Sequence, residues 1–450
     1  MNENIAAISS GSRINQPISI IRVCGPDAVE IVSKIFQGRI GSDHQITYGY
    51  IFDGDVLVDE VLVMWFVGKE VKGKKVYNNY VGEPLIEINC HGGIVVTNKV
   101  LELILTNGAR LAEKGEFTRR AFLNGKMDLI KAEAIHDLIM AQTMSQASAI
   151  VNKFKGKTSQ LLDEFANDLA NLIGICEVNI DYPEYEDVEK LSNRLMLEKV
   201  DDLIVRLQKI IKVSEDSRYI FDGVHVALLG KPNVGKSSIL NALLCEEKAI
   251  VTDVAGTTRD LVEATYQING ILFKLIDTAG LRNTSEKIEQ IGIKKSLEQI
   301  QKADLVVHVV DPTQKEDEFD LKIQQESQNL RKFYIKVQNK SDLVNDKNPN
   351  LINISAINND IQDLETAMVA NFVNINIFDE KIISNARQLS LIKSSLKSLQ
   401  EAKKSLLNIY TYDVIIVDLY NAWDEIQNIK GNANREDLLD VMFSNFCLGK

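Results

Sequence analysis

The octapeptide Gly230-Lys231-Pro232-Asn233-Val234-Gly235-Lys236-Ser237 constrains this 450-residue chain more than any other segment. It follows an apolar run, Val226 to Leu229, and opens an amphipathic helical pattern. That order is what a phosphate cradle requires. A strand ends, glycines let the backbone wrap an anion, and amide N–H groups at a helix N-terminus face it. In the pattern G-x-x-x-x-G-K-[ST], Lys236 reaches the terminal phosphates and the Ser237 hydroxyl, next to Ser238, ligates magnesium. In isolation the same pattern also describes a glycine turn before a core helix.

Three further segments in order narrow the choice. Asp277-Thr278-Ala279-Gly280 ends the run Leu272 to Ile276 and matches the D-x-x-G segment whose Asp holds magnesium through water and whose Gly amide senses a γ-phosphate. Asn339-Lys340-Ser341-Asp342 ends the run Phe333 to Val337 and matches the guanine-reading N-K-x-D. Guanine offers donors to the Asp342 carboxylate, whereas adenine offers an acceptor there and leaves the charge unpaired. Sites built on such matching reject the wrong ligand by roughly 10⁴–10⁵. Ser355-Ala356-Ile357 follows Leu351 to Ile354 and takes the place of the S-A-x loop that supports the base. Together the four segments specify GTP.

Length and composition set the surroundings. A chain of 450 residues makes two or three domains. Its 45% hydrophobic and 25% charged residues are those of a soluble globular protein. No apolar stretch reaches the ~20 residues that span a bilayer, and Met1 to Ser10 has no signal-peptide pattern. Five scattered cysteines (Cys24, Cys90, Cys176, Cys245, Cys447) lack metal-ligand spacing, so a reduced cytoplasm is expected. A net charge of −12 argues against a general nucleic-acid binder but not against an RNA substrate. Two local basic runs stand out: Lys69, Lys72, Lys74 and Lys75, then Arg119, Arg120, Lys126 and Lys131. Such runs are usually solvated faces.

Periodicity predicts a multidomain chain with α+β and α/β parts. Residues 1–118 mix strand-like runs (Ile18 to Val23, Val56 to Phe66, Leu85 to Ile88) with a helical stretch, Ile94 to Leu105, and read as an N-terminal α+β domain. Residues 119–219 are helical, with Leu161, Leu162, Phe165, Leu169 and Leu172 at three- and four-residue spacing. Residues 220–374 alternate strands and helices, as a doubly wound phosphate-loop domain does. Helical spacing returns over 375–450, from Ile382 through Leu407 and again near Leu438 to Phe446. The simplest architecture inserts the phosphate-loop unit into a helical domain whose halves flank it.

The switch segments bear on mechanism. Ras-like enzymes place a water-orienting Gln directly after D-x-x-G; here that position is Leu281, which has no hydrogen-bonding group. Glu289 is the carboxylate to take that part; the bland alternative is a solvated residue opening a helix, Ile288 to Ile300. No arginine finger is evident, and a monovalent cation is the natural substitute. The Asn233 amide oxygen is placed to ligate it. In Thr252-Asp253-Val254-Ala255-Gly256-Thr257-Thr258, Thr258 is placed for magnesium, and carbonyls of Thr252, Val254 and Thr257 complete a potassium-sized cage. Positive charge at that point does work for which arginine fingers give roughly 10³–10⁵ in rate.

These motifs, taken with three others, are similar to those of the MnmE (TrmE) family of tRNA-modification GTPases, and the likeness runs from end to end. The others are Glu87-Ile88-Asn89-Cys90-His91-Gly92-Gly93, the segment from Gly115-Glu116-Phe117-Thr118 to Gly125-Lys126, and the terminal Phe446-Cys447-Leu448-Gly449-Lys450. Asp181-Tyr182-Pro183-Glu184 echoes a further family segment. The resemblance implies a potassium-dependent GTPase that works with a flavoprotein partner, MnmG-like, in a heterotetramer. The complex adds a carboxymethylaminomethyl group to C5 of the wobble uridine of certain tRNAs. It implies homodimerisation through the N-terminal domain and a 5,10-methylene- or 5-formyl-tetrahydrofolate cofactor. Carried across by motif, the folate residues are Arg22, Glu87, Lys126 and Lys450; read without the family, each is an ordinary surface ion-pair partner. Ser10-Gly11-Ser12-Arg13-Ile14-Asn15-Gln16-Pro17 departs from the Gly-rich stretch usual in members, although Arg22 stays in register.

Cys447 has two readings. Cys-Leu-Gly-Lys superficially resembles a prenylation box but fits it poorly, while the family resemblance places this thiol near the modification chemistry. There it is either a nucleophile beside Lys450 or part of the wall of the site. Two competing functions remain at this level: a ribosome-assembly GTPase of the Era/Der-like class, and a folate-binding scaffold with a regulatory GTPase unit.

Overall fold

The computed structural model describes residues 3–10, 15–154, 156–181, 186–244, 264–276, 297–344, 348–372, 382–408, 410–431, 442, 443, 446 and 449. The chain divides into two compact units, Met1–Asp137 with Trp423–Lys450, and Leu138–Ala422.

The first unit is built on nine strands: β1 Ile5–Ile8, β2 Ile18–Cys24, β3 Phe36–Gly38, β4 Gln45–Asp53, β5 Val56–Phe66, β6 Lys69–Val71, β7 Lys74–Val76, β8 Leu85–His91 and β9 Arg110–Leu111. Seven of them form one sheet in the order β3-β4-β5-β8-β2-β1-β9, and β6 and β7 pair only with each other. Period-two alternation sends Val61, Val63 and Trp65 of β5, and Ile86, Ile88 and Cys90 of β8, to one face. There they meet Ile31, Val32 and Ile35 of helix Ala28–Ile35 and Val100, Leu103 and Ile104 of helix Ile94–Thr106. The opposite face keeps Ile46, Tyr48 and Leu62 exposed at 64%, 53% and 47%. Near the C-terminus, Phe443 and Phe446 pack on Leu129 and Ala132, with Phe446 stacked on His136.

The second unit carries helices Met144–Phe154, Lys157–Asp181, Glu186–Phe221 and Ala386–Leu407, the last packed along the third. Expected to begin at Ile382, the helix Ala386–Leu407 starts later because the Asn385 side chain caps it, accepting from the Arg387 and Gln388 N–H groups. Helix Tyr412–Lys430 falls within the expected helical half 375–450, although the spacing marks Ile382 to Leu407 and Leu438 to Phe446 and not this segment. Between these helices lies a second sheet, of β10 Val224–Leu229, β11 Ala264–Ile268, β12 Ile271–Leu275, β13 Leu305–Val310, β14 Phe333–Gln338 and β15 Ile352–Asn353, in the order β11-β12-β10-β13-β14-β15. All neighbours are parallel except β11 and β12. Strand order reverses beside β10, which makes the carboxyl ends of β10 and β13 the crevice where a ligand binds in such sheets. Mixed α/β content matches the expected fold class. Among the described residues no helix is long and apolar enough to cross a membrane.

Candidate functional site

The glycine-rich loop leaves β10 at that crevice. Gly230 has φ +148°, and a Cβ there would lie 2.2 Å from the Val309 carbonyl oxygen; Gly235, at φ +96°, would put one 2.1 Å from Asn339 Nδ2. Neither position accepts a side chain. Asn233 also stands at positive φ, +63°, with its side chain exposed. Lys236 folds back to donate to the Gly230 and Lys231 carbonyls at 2.7 and 2.6 Å, and burial pulls its ammonium down to about 8. A bound phosphate restores the charge that burial disfavours. Ser237 and Ser238 face outward on the first turn of helix Lys236–Leu243.

The N-K-x-D segment is tied to this loop directly. Asn339, buried, donates from Nδ2 to the Val234 carbonyl at 2.9 Å and accepts at Oδ1 from the Ala356 N–H at 3.1 Å. One amide therefore fastens the phosphate loop to the S-A-x loop. Lys340, at φ +61°, reaches the Asp311 carboxylate at 2.6 Å. Burial acts to raise the Asp311 pKa, but Lys340 and the Thr313 donors outweigh it and hold the carboxyl below its ordinary value. Ser355 Oγ donates to Asp342 Oδ1 at 2.6 Å, and Ile357 projects into solvent, 82% exposed. Asn233, Val234, Gly235, Lys236, Ser237, Asn339, Lys340, Asp342, Ser355 and Ala356 thus gather at one end of one sheet.

In the first unit, β2 and β8 set Arg22 opposite Glu87, and the guanidinium Nε donates to Glu87 Oε1 at 2.7 Å. Its Nη1 donates to the carbonyl of Gly449 at 3.2 Å, 427 positions away. The rings of Tyr80 and Phe117 lie 5.4 and 5.8 Å from the same guanidinium. Gly449 O also accepts from Ser9 Oγ at 3.1 Å. Lys126 Nζ donates to the Tyr77 carbonyl instead of standing free. Within the second basic run, Arg120 is consumed inside the fold: it is 1% exposed and bonds Glu83 and Glu116.

Residues 4–126 match the family described as "GTP-binding protein TrmE N-terminus", and residues 129–447 match "MnmE helical domain". The chain is 53% identical over 452 residues to the tRNA modification GTPase MnmE of Mycoplasmopsis pulmonis, covering 100% of both. It is 51% identical to that of Mycoplasma mobile, again over the whole of both, and 39% identical to that of Lactococcus lactis subsp. cremoris, covering 98% of the latter. The chain belongs to the MnmE family. As an MnmE-family chain it is a phosphate-loop GTP hydrolase.

Several residues of this MnmE-family site were invisible to motif reading. Lys231 forms ion pairs with Asp320 at 2.8 Å and Asp317 at 3.1 Å, and Asp320 in turn bonds the buried His308 at 2.9 Å. These residues anchor the start of the phosphate loop to helix Glu318–Asn329, and Asp317, Asp320 and His308 belong to no motif. Tyr80 beside Arg22 is likewise unmarked in sequence. The described cysteines, Cys24, Cys90 and Cys176, are free and buried, and burial raises each thiol, to about 11 for Cys90, so none is a ready nucleophile. Thr252, Asp253, Val254, Ala255, Gly256, Thr257, Thr258, Asp277, Thr278, Ala279, Gly280, Glu289, Cys447 and Lys450 lie outside the described residues.

Proposed function

We propose that this chain hydrolyses GTP to drive modification of the wobble uridine of tRNA, adding a carboxymethylaminomethyl group at C5 with a flavoprotein partner in the cytoplasm. One observation carries the reading. The same chain ties its phosphate loop to the N-K-x-D and S-A-x segments through Asn339 and, in its other unit, holds an Arg22–Glu87 pair to which the C-terminal Gly449 is fastened. That second site fits a reduced folate by its donor set. The Glu87 carboxylate would accept from an amide-like pterin edge, the partly buried Tyr80 ring would offer flat apolar surface, and Arg22, Lys126 and Lys450 would supply cations for a glutamate tail. When bound, the folate supplies the one-carbon unit. Arg22 holds Glu87 in place through their 2.7 Å ion pair, and its Nη1 bond to the Gly449 carbonyl ties the described end of the chain to the same pair.

In the GTPase site the phosphate loop holds the triphosphate, Ser237 and Thr258 hold magnesium, and Asn339 and Asp342 hold the base. Asn233 with the carbonyls of Thr252, Val254 and Thr257 cradles potassium, whose charge offsets that of the transition state. Glu289 orients water. The exposed positive-φ placement of Asn233 supports this role for its amide. Hydrolysis in potassium is expected to exceed that in sodium by at least about tenfold, and Glu289→Ala to lose turnover while keeping nucleotide affinity, since charge stabilisation of this kind is worth several kcal/mol. Equal rates in the two salts, or parental turnover by the variant, reject these assignments.

The apolar, exposed face of β4 and β5 supports homodimerisation through the first unit, and a monomer in sedimentation removes that element. Insertion of residues 220–374 between helical halves 119–219 and 375–450, after an N-terminal domain 1–118, is supported by Tyr219 and Phe372. Their rings, 5.0 Å apart, bring the ends of the inserted unit together. The function as a whole is tested by mass spectrometry of tRNA nucleosides from a deletion strain. Loss of the modified wobble uridine is expected; normal wobble uridines overturn the proposal.

A further inference from the structure

Strands β5 and β8 are antiparallel neighbours, with Phe66 opposite Leu85. Such neighbours usually close with two to five residues. Here residues 67–84 intervene, 18 residues in all. Connections of that length in a compact domain are usually functional or unstructured, and this one is structured. Within it β6 and β7 form their own ribbon, with Lys69 opposite Val76, Glu70 opposite Lys75 and Val71 opposite Lys74. Lys72 and Gly73 both take positive φ, 50° and 75°, the two-residue turn whose twist suits a hairpin.

All six strand residues are exposed, with Val71 and Val76 at 50% and 48%. A ribbon that buries so little is not held together by a core of its own. Its base is fixed from outside. The Gly68 N–H donates to Asp43 Oδ1 at 2.9 Å, His44 Nε2 lies 3.0 Å from the Asn78 carbonyl, and Lys126 Nζ donates to the Tyr77 carbonyl. The fold therefore holds out a short ribbon, anchored at its base, with no apolar role within the unit.

Its chemistry is cationic. Lys69, Lys72, Lys74 and Lys75 against Glu70 leave three positive charges on a chain of net charge −12. Register sorts them, because opposed residues share a face. Lys75 shares its face with Glu70 and lies over the Tyr77 ring at 5.9 Å. Lys69 and Lys74 stand on the other face with the two valines, Lys72 occupies the tip, and the field of Lys69 reaches Asp43. In the second basic run, by contrast, Arg120 is buried between Glu83 and Glu116, and Lys126 donates to the Tyr77 carbonyl.

We propose that this ribbon docks the phosphate backbone of the tRNA substrate, an inference that rests on the tRNA-modifying function above. Exposed lysines on a fixed scaffold neutralise phosphates without reading bases, as positioning contacts do. Position favours the same partner. The residue that follows β7, Tyr77, gives its carbonyl to Lys126, one of the proposed one-carbon residues, so RNA gripped by the ribbon lies beside that site.

The test uses the full chain with Lys69→Gln, Lys72→Gln and Lys74→Gln combined, and purified cellular tRNA titrated between about 50 and 200 mM salt. Each lost phosphate contact removes about 0.7–0.9 from the slope of log affinity against log salt, so the slope is expected to fall by about 2 and affinity at low salt on the order of 100-fold. GTP turnover stays at the parental rate, the matching Lys→Arg variant keeps binding, and Lys75→Gln has the smaller effect. A parent chain that binds tRNA and a triple variant that binds it equally, with unchanged slope, overturn the inference alone. A parent chain that binds no tRNA overturns it together with the function it rests on. Retention of the parent but not the variant on anionic phospholipid vesicles, with tRNA affinity equal for both, overturns it in favour of a membrane surface.

Discussion

Gly235→Ala is expected to lower GTP affinity by about 10²–10⁴-fold while the protein stays folded, as read by titration with a fluorescent guanine nucleotide and by thermal melting. The added Cβ falls 2.1 Å from Asn339 Nδ2 at a backbone φ of +96°. A left-handed non-glycine residue costs about 1–2 kcal/mol. Moving Asn339 also releases the Val234 carbonyl and the Ala356 N–H, both satisfied by that one buried side chain. Orphaned buried groups cost about 1–3 kcal/mol each, so the total is about 3–8 kcal/mol; 1.4 kcal/mol is tenfold in affinity, and the expected loss takes up the lower part of that range. The loss falls on the loop and not on the sheet, because the core of β10, β13 and β14 is untouched by it. Parental affinity in this variant defeats the claim that one amide couples phosphate cradle and base loop.

The second large effect is expected at the other end of the chain. Gly449→Ala should abolish most wobble-uridine modification in cells and leave GTP hydrolysis within about twofold of the parent, given that distant independent sites behave additively. Gly449 lies at φ +88°, and a Cβ there meets the Ile8 carbonyl at 2.4 Å. The tail must then leave β1 and withdraw the carbonyl that Arg22 and Ser9 share. A hydrogen bond from a charged donor is worth about 1.5–3 kcal/mol, so folate affinity should fall about 10- to 150-fold. Modified nucleosides at the parental level would show that docking of the tail is ornamental. A joint loss of GTP hydrolysis would show instead that the two sites are not separable.

The two predictions draw on different kinds of information. Gly235, Lys236, Asn339 and Asp342 are recognisable in the sequence because nucleotide chemistry imposes residue types at short fixed spacing along one strand–loop–helix unit. Helical spacing and strand alternation are local for the same reason, and Val56–Phe66 emerges as a strand over the full expected run. Resemblance supplied Arg22 and Glu87, and the register of β2 on β8 pairs them.

What local pattern could not convey is which partners the long-range packing chooses. Lys69 to Lys75 and Arg119 to Lys131 look alike as strings of basic residues, yet one forms a solvated ribbon while Arg120 in the other is buried between two glutamates. Asp320 and His308 have no motif to announce them, and only the approach of helix Glu318–Asn329 to β13 makes them anchors for Lys231. The bond from Arg22 to Gly449 spans nearly the whole chain. The sequence alone determined the nucleotide and its cradle, since those depend on backbone conformations that neighbouring residues dictate. Tertiary structure decided which charges stay free and which carbonyl the Arg22 guanidinium finds, since desolvation and pairing depend on atoms remote in sequence.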